Sequence, residues 1–586
     1  MAPLPQPPAA EAQAFLGATR LFAALDAEAR QALAARLAWE YLQAGEILCR
    51  EGDPGDALYL VASGRLVVVR EAAGAGGGGA GVGVTERPIR DVTRGESVGE
   101  LALLTGAPRS ATVRAARDSV MARLGRQDFE EAMLRHPQAL LALARQLAGW
   151  IDPQRAPRSQ SKPLTVAVVA APDGGDRVPR APASWAADLA GALAAHGSVA
   201  LVDARALDEA CGAGAATSAT GSALDARAAS WLSELESRHR FVLYDGRGAG
   251  PEWIRRCLRQ ADRLLLLAPG GEPPPQGGLG ALGEEIADAA AREPVEEELV
   301  LVYPDSPGAP GPRGTGAWLD LRPFVRHHHL RPGDPADLAR LARFVAGRAV
   351  GVVLGGGGAR GLAHIGVLRA LAEAGVPIDR VGGASMGAIV GAQFARGGGW
   401  AELVALNRRG WIDIAPHKYY TLPLVSILSN AKAEVMLDEW FRGGAIEDLW
   451  TSFFCVSTNL SRTEIVVHRR GSLRRWLGAS MSLPGVTPPR IAPGGDLLVD
   501  GGVLDNLPAD VMRALGPGPI VAVDVSSARD VRADPSWEDS PTPWQLLALR
   551  ARRRRAPPRP FPGILRLITR AALLASDVYA KQAKRE

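Results

Sequence analysis

One stretch, 349–394, constrains this chain more than any other. Val350, Gly351, Val352, Val353 and Leu354 make an apolar run that reads as a buried parallel strand, and it empties into Gly355, Gly356, Gly357, Gly358, Ala359, Arg360 and Gly361. The pattern predicts a helix over 362–374, a second strand over 376–383 and a small-residue helix over 388–395, with Ala384, Ser385, Met386 and Gly387 at the turn before it. Strand, glycine loop, helix, strand and a Ser at a tight turn follow one another as α/β alternation requires.

Gly383, Ser385 and Gly387 spell GxSxG, a nucleophile elbow. A Ser at a sharp strand-to-helix turn has an exposed hydroxyl and a strained backbone, and the flanking glycines keep Cβ atoms out of the neighbouring chain. The helix beginning at Met386 directs its amides at an oxyanion formed beside Ser385. The upstream glycine loop, on the preceding strand-to-helix turn of the same sheet, can supply further amide donors from Gly356, Gly357 and Gly358. Gly356, Gly358 and Gly361 also spell the GxGxxG of dinucleotide sites. That reading needs an acid at the end of the next strand, and Asp379 precedes its strand instead.

A general base has to accompany the hydroxyl. After Ser385 the histidines are His417 and His468, both ahead of the best aspartate, so the Ser, Asp, His order of α/β-hydrolases cannot be written; a His-mediated triad in another order stays open. The aspartate is Asp500, which ends the apolar run Leu497, Leu498, Val499 and precedes Gly501 and Gly502, two glycines that let the backbone turn at the carboxyl edge of a sheet. There it is placed to take the Ser385 proton directly, as a dyad.

GGGGARG over 355–361, GASMG over 383–387 and DGG over 500–502, followed by Asn506, Leu507 and Pro508, resemble in kind and order the motifs of the patatin-like phospholipases. AHIGVL over 363–368, STNL over 457–460 and ASMSLPG over 479–485 match as well. The resemblance implies a patatin-like α/β hydrolase domain with Ser385 as nucleophile, Asp500 as base and an oxyanion hole from the loop of Gly356, Gly357, Gly358 and Gly361. It puts Arg360 at the family's basic position and implies catalysis with no metal or other cofactor.

A chain of 586 residues is too long for one core and suggests about three or four domains. Hydrophobic residues at 47% and charged residues at 22% are ordinary for folded protein, and a net charge of +4 gives no general case for nucleic-acid binding. Five of the 67 basic residues are Lys; with abundant Ala and Gly, the Arg bias reads as a high-GC bacterial coding preference. Cys49, Cys211, Cys257 and Cys455 form no CxxC pair, which argues against a disulfide framework or thiolate metal site and for a reducing compartment. The first residues lack the basic and apolar regions of a signal peptide, and no 18-residue apolar run occurs. A cytoplasmic protein is expected, meeting the inner membrane only from its surface.

Earlier in the chain, 11–37 has a helical pattern, after which short strands separated by glycine turns run to about residue 69, the signature of a small antiparallel barrel or jelly roll. The glycine-rich 74–83 reads as a hairpin tip. At 99–112, Gly99, Glu100, Leu101 and Ala102 open a short helical turn, and Arg109, Ser110 and Ala111 follow. Free amides and the Arg109 fork suit a phosphate, and Glu100 suits a ribose hydroxyl. The stretch resembles the phosphate-binding cassette of cyclic nucleotide-binding domains, with cAMP placed ahead of cGMP as candidate ligand; a fold kept after loss of affinity is the rival reading. The helical pattern at 137–151 leads into a polar, Pro-containing linker, 152–163, and no helix-turn-helix follows, so a DNA-binding reading lacks its element.

From 164 to 348 strands at 164–170, 199–203, 241–245 and 263–267 alternate with helices, the first capped by Ser184. The layout resembles a ParA/MinD-type nucleotide-hydrolysing sheet, but its first loop, Pro172 to Arg177, lacks GK[ST], so the domain is expected to be structural. His327, His328 and His329 cannot all face one ion from a strand or helix, and a solvated linker is expected there. The 256–262 stretch, RCLRQAD, and the order of the three regions resemble bacterial relatives of neuropathy target esterase. Near the end, the Arg-rich run at 550–555 and an apolar helical face from Ile564 to Val578 fit either a helix packed on the hydrolase core or one lying on anionic lipid.

The expected architecture is multidomain: a β jelly roll with helices over 11–151, the linker 152–163, an α/β domain over 164–348, and the patatin-like domain over 349–586. The expected activity is release of fatty acids from lysophospholipids or phospholipids, with cyclic nucleotide as candidate regulator. The alternative is a non-catalytic cyclic-nucleotide-binding scaffold that recognises membranes or partners, against which intact Ser385, Asp500 and glycine loops speak.

Overall fold

The structure is a computed structural model that describes residues 2–23, 25–72, 85–136, 163–172, 183–304, 311–526, 539–551, 561–572 and 574. The chain divides into two compact units. One comprises Met1–Ala268, Pro274–Val300 and Pro323–Arg326, the other Pro269–Pro273, Leu301–Arg322 and His327–Glu586. The glycine-rich 74–83, the helix expected at 137–151, the linker 152–162 and most of the loop after Pro172 lie outside the described residues.

The first unit opens with two helices, Ala9–Ala18 and Ala27–Ala34, where the sequence pattern reads as one. Thr19 ends the first by turning its hydroxyl back to Leu16 O, and Asp26 starts the second by accepting from Ala29 N at 2.8 Å, so two local side-chain bonds override the continuous apolar spacing. Two antiparallel sheets follow. Ala38–Leu42, Ser119–Gly125, Ala57–Ser63 and Ser97–Val98 are neighbours in one; Ile47–Cys49, Thr112–Ala115, Arg65–Ala72 and Thr85–Thr93 in the other. Leu66, Val68, Val92 and Val113 of one sheet meet Leu42, Val61, Val98 and Met121 of the other in one buried core, the packing of a jelly roll.

A sheet comes next, in which Val199–Val202, Phe241–Asp245, Leu164–Ala170 and Arg263–Pro269 are neighbours in that order. The pairings at Leu164–Ala170 are parallel, and the strand is buried on both faces, which is why it reads as a continuous apolar run. Ser184 stands ahead of the helix Trp185–Ala194, but its side chain makes no capping hydrogen bond.

The stretch 256–262 has a specific job in this unit. Arg256 pairs with Asp225 at 2.6 Å and Arg259 with Asp118 at 3.0 Å, while Asp262 holds Arg65 and Arg117, each at 2.7 Å. Arg117 is also bound to Glu236. Three of these partners, Arg65, Arg117 and Asp118, belong to the jelly roll and are buried, so the helix Pro251–Gln260 and the residue heading the next strand are clamped to it by ion pairs through the half-buried Arg259 and Asp262. Burial alone would raise the Asp262 carboxyl, but the charges of Arg117 and Arg65 outweigh it and hold it well below the usual carboxylate range.

In the second unit, seven strands form a mixed sheet. Arg490–Ile491, Leu497–Asp500, Ser452–Asn459, Arg380–Gly383, Gly351–Leu354 and Ile520–Val523 lie side by side, and Glu464–His468 also pairs with Ser452–Asn459. Gly351–Leu354, Arg380–Gly383, Ser452–Asn459 and Ile520–Val523 run parallel, and Leu497–Asp500 runs against them. The second strand is shorter than the pattern at 376–383 suggests, because Asp379 leaves the sheet to accept from Val350 N at 2.8 Å and to pair with Arg343 at 2.6 Å. That carboxylate is therefore engaged in structure and has no place in a dinucleotide site.

The solvated linker expected at His327, His328 and His329 is overturned. All three lie on the strand Arg326–Leu330, and His328 and His329 are buried. His329 has its Nδ1 3.1 Å from the Tyr303 hydroxyl and its Nε2 2.9 Å from Glu447 O, and burial lowers its pKa to about 4 against the raising effect of that carbonyl. Polar composition reads as solvent exposure, whereas neutral imidazoles with both nitrogens satisfied can sit in a core. At the end of the chain, Ile564–Ala572 is helical, and the rest of the pattern, like most of the Arg-rich run, lies outside the described residues.

Candidate active site

The register of the sheet brings Ser385 and Asp500 together. Leu354, Gly383 and Cys455 are level across the parallel strands. Ser452–Asn459 continues past that level, and Ser457 faces Asp500. A strand running backwards thus ends two residues beyond the carboxyl edge of its neighbours, where the chain turns from Gly383 into the helix Met386–Ala395.

Ser385 sits in that turn at φ +53°, a conformation non-Gly residues avoid. Its hydroxyl donates to Asp500 Oδ2 at 2.6 Å. The flanking glycines are required by space: a Cβ at Gly383 would lie 2.2 Å, and one at Gly387 2.1 Å, from Leu354 O. Asp500 is buried, and its other oxygen accepts from Gly502 N at 2.8 Å. Burial raises its pKa to about 6, with the Ser385 hydroxyl and Gly502 amide working the other way. A Cβ at Gly501 would meet Val456 O at 2.6 Å, so the turn after Asp500 has no room for a side chain.

The glycine loop borders the pair. A Cβ on Gly356 would stand 3.0 Å from Ser385 Cβ and 2.4 Å from Asn506 Oδ1. The Gly356 amide donates to Asn506 O at 3.2 Å and its carbonyl accepts from Asn506 Nδ2 at 2.9 Å, so Gly356 is clamped and is not a free oxyanion donor, contrary to expectation. Gly357 and Gly358, the latter at φ +56°, make no amide hydrogen bond among the described residues. Arg360 is exposed on the 3-10 turn Gly358–Leu362, and Gly361 is packed on Met386, where a Cβ would come within 2.4 Å of its Cγ.

Three supporting residues were not singled out by the sequence. Ser480 Oγ accepts from Ser385 N at 3.0 Å, and Ser482 O accepts from Asp500 N at 2.8 Å, so one short segment fixes the backbone of both residues. His364 is buried with Nε2 2.7 Å from Gly355 O, which requires its proton on Nε2 and fixes the start of the glycine loop. Ser480 and Ser482 fall in the ASMSLPG motif and His364 in AHIGVL, so the signal was present as motif without role. His468, the candidate for a His-mediated triad, is buried 2.7 Å from Ser457 Oγ and stacked on Trp476, while the Ser385 hydroxyl has Asp500 as its partner.

In the jelly roll, Gly99 (φ +100°) precedes the helix Glu100–Thr105. Glu100 is buried, accepts from Ser97 Oγ at 3.3 Å, and is raised in pKa by that burial. Leu101 is exposed and Ala102 is packed against Gly55, whose Cβ would come within 2.3 Å of it. Arg109 is buried with Nη2 donating to Ala57 O at 2.8 Å and Nη1 to Gly99 O at 3.3 Å, so an incoming phosphate has to compete with main-chain carbonyls for its fork. Ser110 is exposed beside it and Ala111 buried. Among the described residues no group of three or more His, Cys, Asp or Glu is arranged to hold a metal ion, and no helix is long and apolar enough to cross a membrane.

Comparison with known proteins gives these geometries a context. Residues 352–513 match a model of the patatin-like phospholipases, 39–136 a cyclic nucleotide-binding domain, and 164–347 the P-loop-like domain of the neuropathy target esterase family. An uncharacterized NTE family protein of Mycobacterium tuberculosis is 31% identical over 88% of this chain and 80% of its own length. The chain belongs to the neuropathy target esterase family. Patatin-like phospholipase domain-containing protein 7 of Mus musculus is 34% identical, and protein 6 of Homo sapiens 33% identical, each over 87% of this chain. This chain spans 40% and 39% of those two animal members of the family.

Proposed function

We propose that this chain is a serine acyl hydrolase that releases fatty acids from lysophospholipids or phospholipids at a membrane surface. The observation that carries the reading is the 2.6 Å hydrogen bond from a hydroxyl on a strained elbow to a buried carboxylate, Ser385 to Asp500. Asp500 takes the hydroxyl proton as Ser385 Oγ bonds to the ester carbonyl carbon. The carbon–oxygen bond to the lipid's alcohol breaks, and the alcohol leaves with the proton from Asp500. Water, deprotonated by the same carboxylate, then attacks the acyl-Ser385 ester, releasing the fatty acid and restoring Ser385. The Gly357 and Gly358 amides are assigned to the oxyanion, together with the first amides of the helix Met386–Ala395. Cyclic nucleotide, cAMP ahead of cGMP, is assigned a regulatory role at Gly99, Glu100 and Arg109. The division into 11–151, 164–348 and 349–586 belongs to the same reading, supported by a family match inside each range.

A fluorophosphonate probe tests the nucleophile: covalent label is expected on Ser385 in the wild type and absent from Ser385→Ala, and equal labelling of both would overturn the assignment. The base is tested by pH. Asp500 acts as a carboxylate, and burial raises its pKa to about 6, so kcat/KM is expected to fall about tenfold per unit below that point and level off above it. A flat profile between about pH 5 and 8 would exclude Asp500 as base.

Stability gives an independent check on the same carboxyl. Because its folded pKa lies above the ordinary value of 3.8, its favourable contribution is complete in acid and is lost as pH rises through about 6. Asp500→Asn, inactive, is therefore expected to be more stable than wild type at pH 8 by about 1–3 kcal/mol, with the difference vanishing below about pH 4. Denaturant titration at the two pH values measures it.

A further inference from the structure

Between Ala415 and Ala431 the chain leaves the core and returns as a hairpin. Thr421 N donates to Ile427 O at 3.0 Å, Ser429 N to Tyr419 O at 2.9 Å, and Tyr420 pairs with Leu428. Residues 417–425 are all exposed, yet they include Tyr419, Tyr420, Leu422, Pro423, Leu424 and Val425. Leu422, Leu424 and Val425 are 79%, 89% and 67% exposed. The Leu424 amide donates to Leu422 O at 2.8 Å across Pro423, a three-residue turn that fixes both leucines at the tip. A loop made for water carries Gly, Asn, Asp and Ser at its tip, whereas this one presents a contiguous apolar knob.

Two further observations select the occupant. No Asp or Glu occurs from Ala415 to Ala433, while Lys418 and Lys432 flank the tip, two of the five lysines in the chain. Lys432 Nζ lies 4.9 Å from the centre of the Tyr419 ring. An apolar tip with a cationic, aromatic base matches a lipid surface, apolar inside and anionic at the headgroups. The hairpin also hangs from the segment that fixes the catalytic pair: Ile427 N donates to Gly485 O at 3.1 Å and Leu428 N to Val486 O at 2.8 Å, just beyond Ser480 and Ser482.

We propose that the hairpin at 419–429 is an interfacial anchor that inserts Leu422, Leu424 and Val425 among the acyl chains of a lipid surface bearing anionic headgroups, beside the site from which an ester is drawn. The inference rests on the lipid hydrolase reading for its purpose, and on the hairpin alone for its binding.

The test uses the full chain and unilamellar vesicles of phosphatidylcholine with or without phosphatidylglycerol. Co-sedimentation is expected to weaken by about 100-fold in the triple variant Leu422→Ser, Leu424→Ser, Val425→Ser, on both vesicles. Lys418→Gln with Lys432→Gln is expected to abolish the preference for phosphatidylglycerol while leaving binding to phosphatidylcholine. Hydrolysis of a water-soluble short-chain ester serves as the folding control, and the triple variant should retain it while losing hydrolysis of vesicle lipid. Vesicle binding equal to wild type would overturn the anchor, as would loss of soluble-ester hydrolysis together with binding, or a change of oligomeric state in place of vesicle binding. Ser385→Ala should bind vesicles normally. Should the wild type hydrolyse no ester while the triple variant still loses binding, the anchor stands and the hydrolase reading fails.

Discussion

Ser385→Ala is expected to lower fatty acid release from lysophosphatidylcholine by at least about 100-fold, because removing the nucleophile removes the covalent route and leaves what the oxyanion donors and binding supply alone. The fold should survive the change, since the substitution removes one hydrogen bond to Asp500 and keeps the bond from the backbone amide at that position to Ser480 Oγ. Equal thermal transitions in the two proteins would make the comparison clean. Equal rates would end the hydrolase reading. Adding cAMP to both extends the experiment: a change in wild-type turnover would support a regulatory role for the N-terminal domain, and turnover indifferent to cAMP would remove that role from the proposal.

The second large effect lies far from the chemistry. Asp262→Ala is expected to destabilise the first unit by about 3 kcal/mol, because it leaves the buried Arg65 and Arg117 guanidiniums short of a counter-charge. Arg117 retains Glu236, whereas Arg65 has no other ion pair among the described residues. The Thr165 amide, which donates to Asp262 at 3.1 Å, loses its acceptor as well, while the Thr165 hydroxyl keeps Gln260 O at 2.7 Å. The loss is expected in full at neutral pH and should shrink in acid, because a carboxyl whose folded pKa is depressed stabilises above its unfolded pKa and stops doing so as pH falls through the folded one. Urea titration of both proteins near pH 7 and near pH 3 checks the sign. Replacing Asp262 and Arg65 together by apolar residues should harm the unit less than Asp262→Ala, since no charge is then left unpaired at that pair. A midpoint shift below about 0.5 kcal/mol for Asp262→Ala would show the network to be incidental.

What the sequence made legible was what local chemistry dictates. Gly383 and Gly387 had to be glycine for contacts that any sharp strand-to-helix turn makes, so the position of Ser385 could be read without coordinates. Asp500 could be placed at a sheet edge from its apolar run and the two glycines after it. Its strand direction could not, since an antiparallel strand reaches that edge through a register offset, Ser457 opposite Asp500, which no local pattern encodes. The Gly356 amide looked like an oxyanion donor because its competitor, Asn506 O, is 150 positions away in sequence. His327, His328 and His329 read as solvated for a related reason: the carbonyl and hydroxyl that satisfy His329 come from Glu447 and Tyr303. The hairpin at 419–429 is not legible in sequence because its apolar residues resemble any strand; the useful signal is the absence of acids between Asp413 and Glu434.

The ion cluster around 256–262 has an evolutionary consequence. Its members are buried or half-buried, so replacing one side of an ion pair leaves its partner short of a counter-charge, and a lineage meets a cost at the first step of removing any of these pairs. Gly99, Glu100 and Arg109, where a nucleotide would sit, are not part of that cluster. Descendants of this chain are therefore free to lose a ligand at the jelly roll while being unable to discard the jelly roll itself: the module would persist as scaffolding after its message had been forgotten.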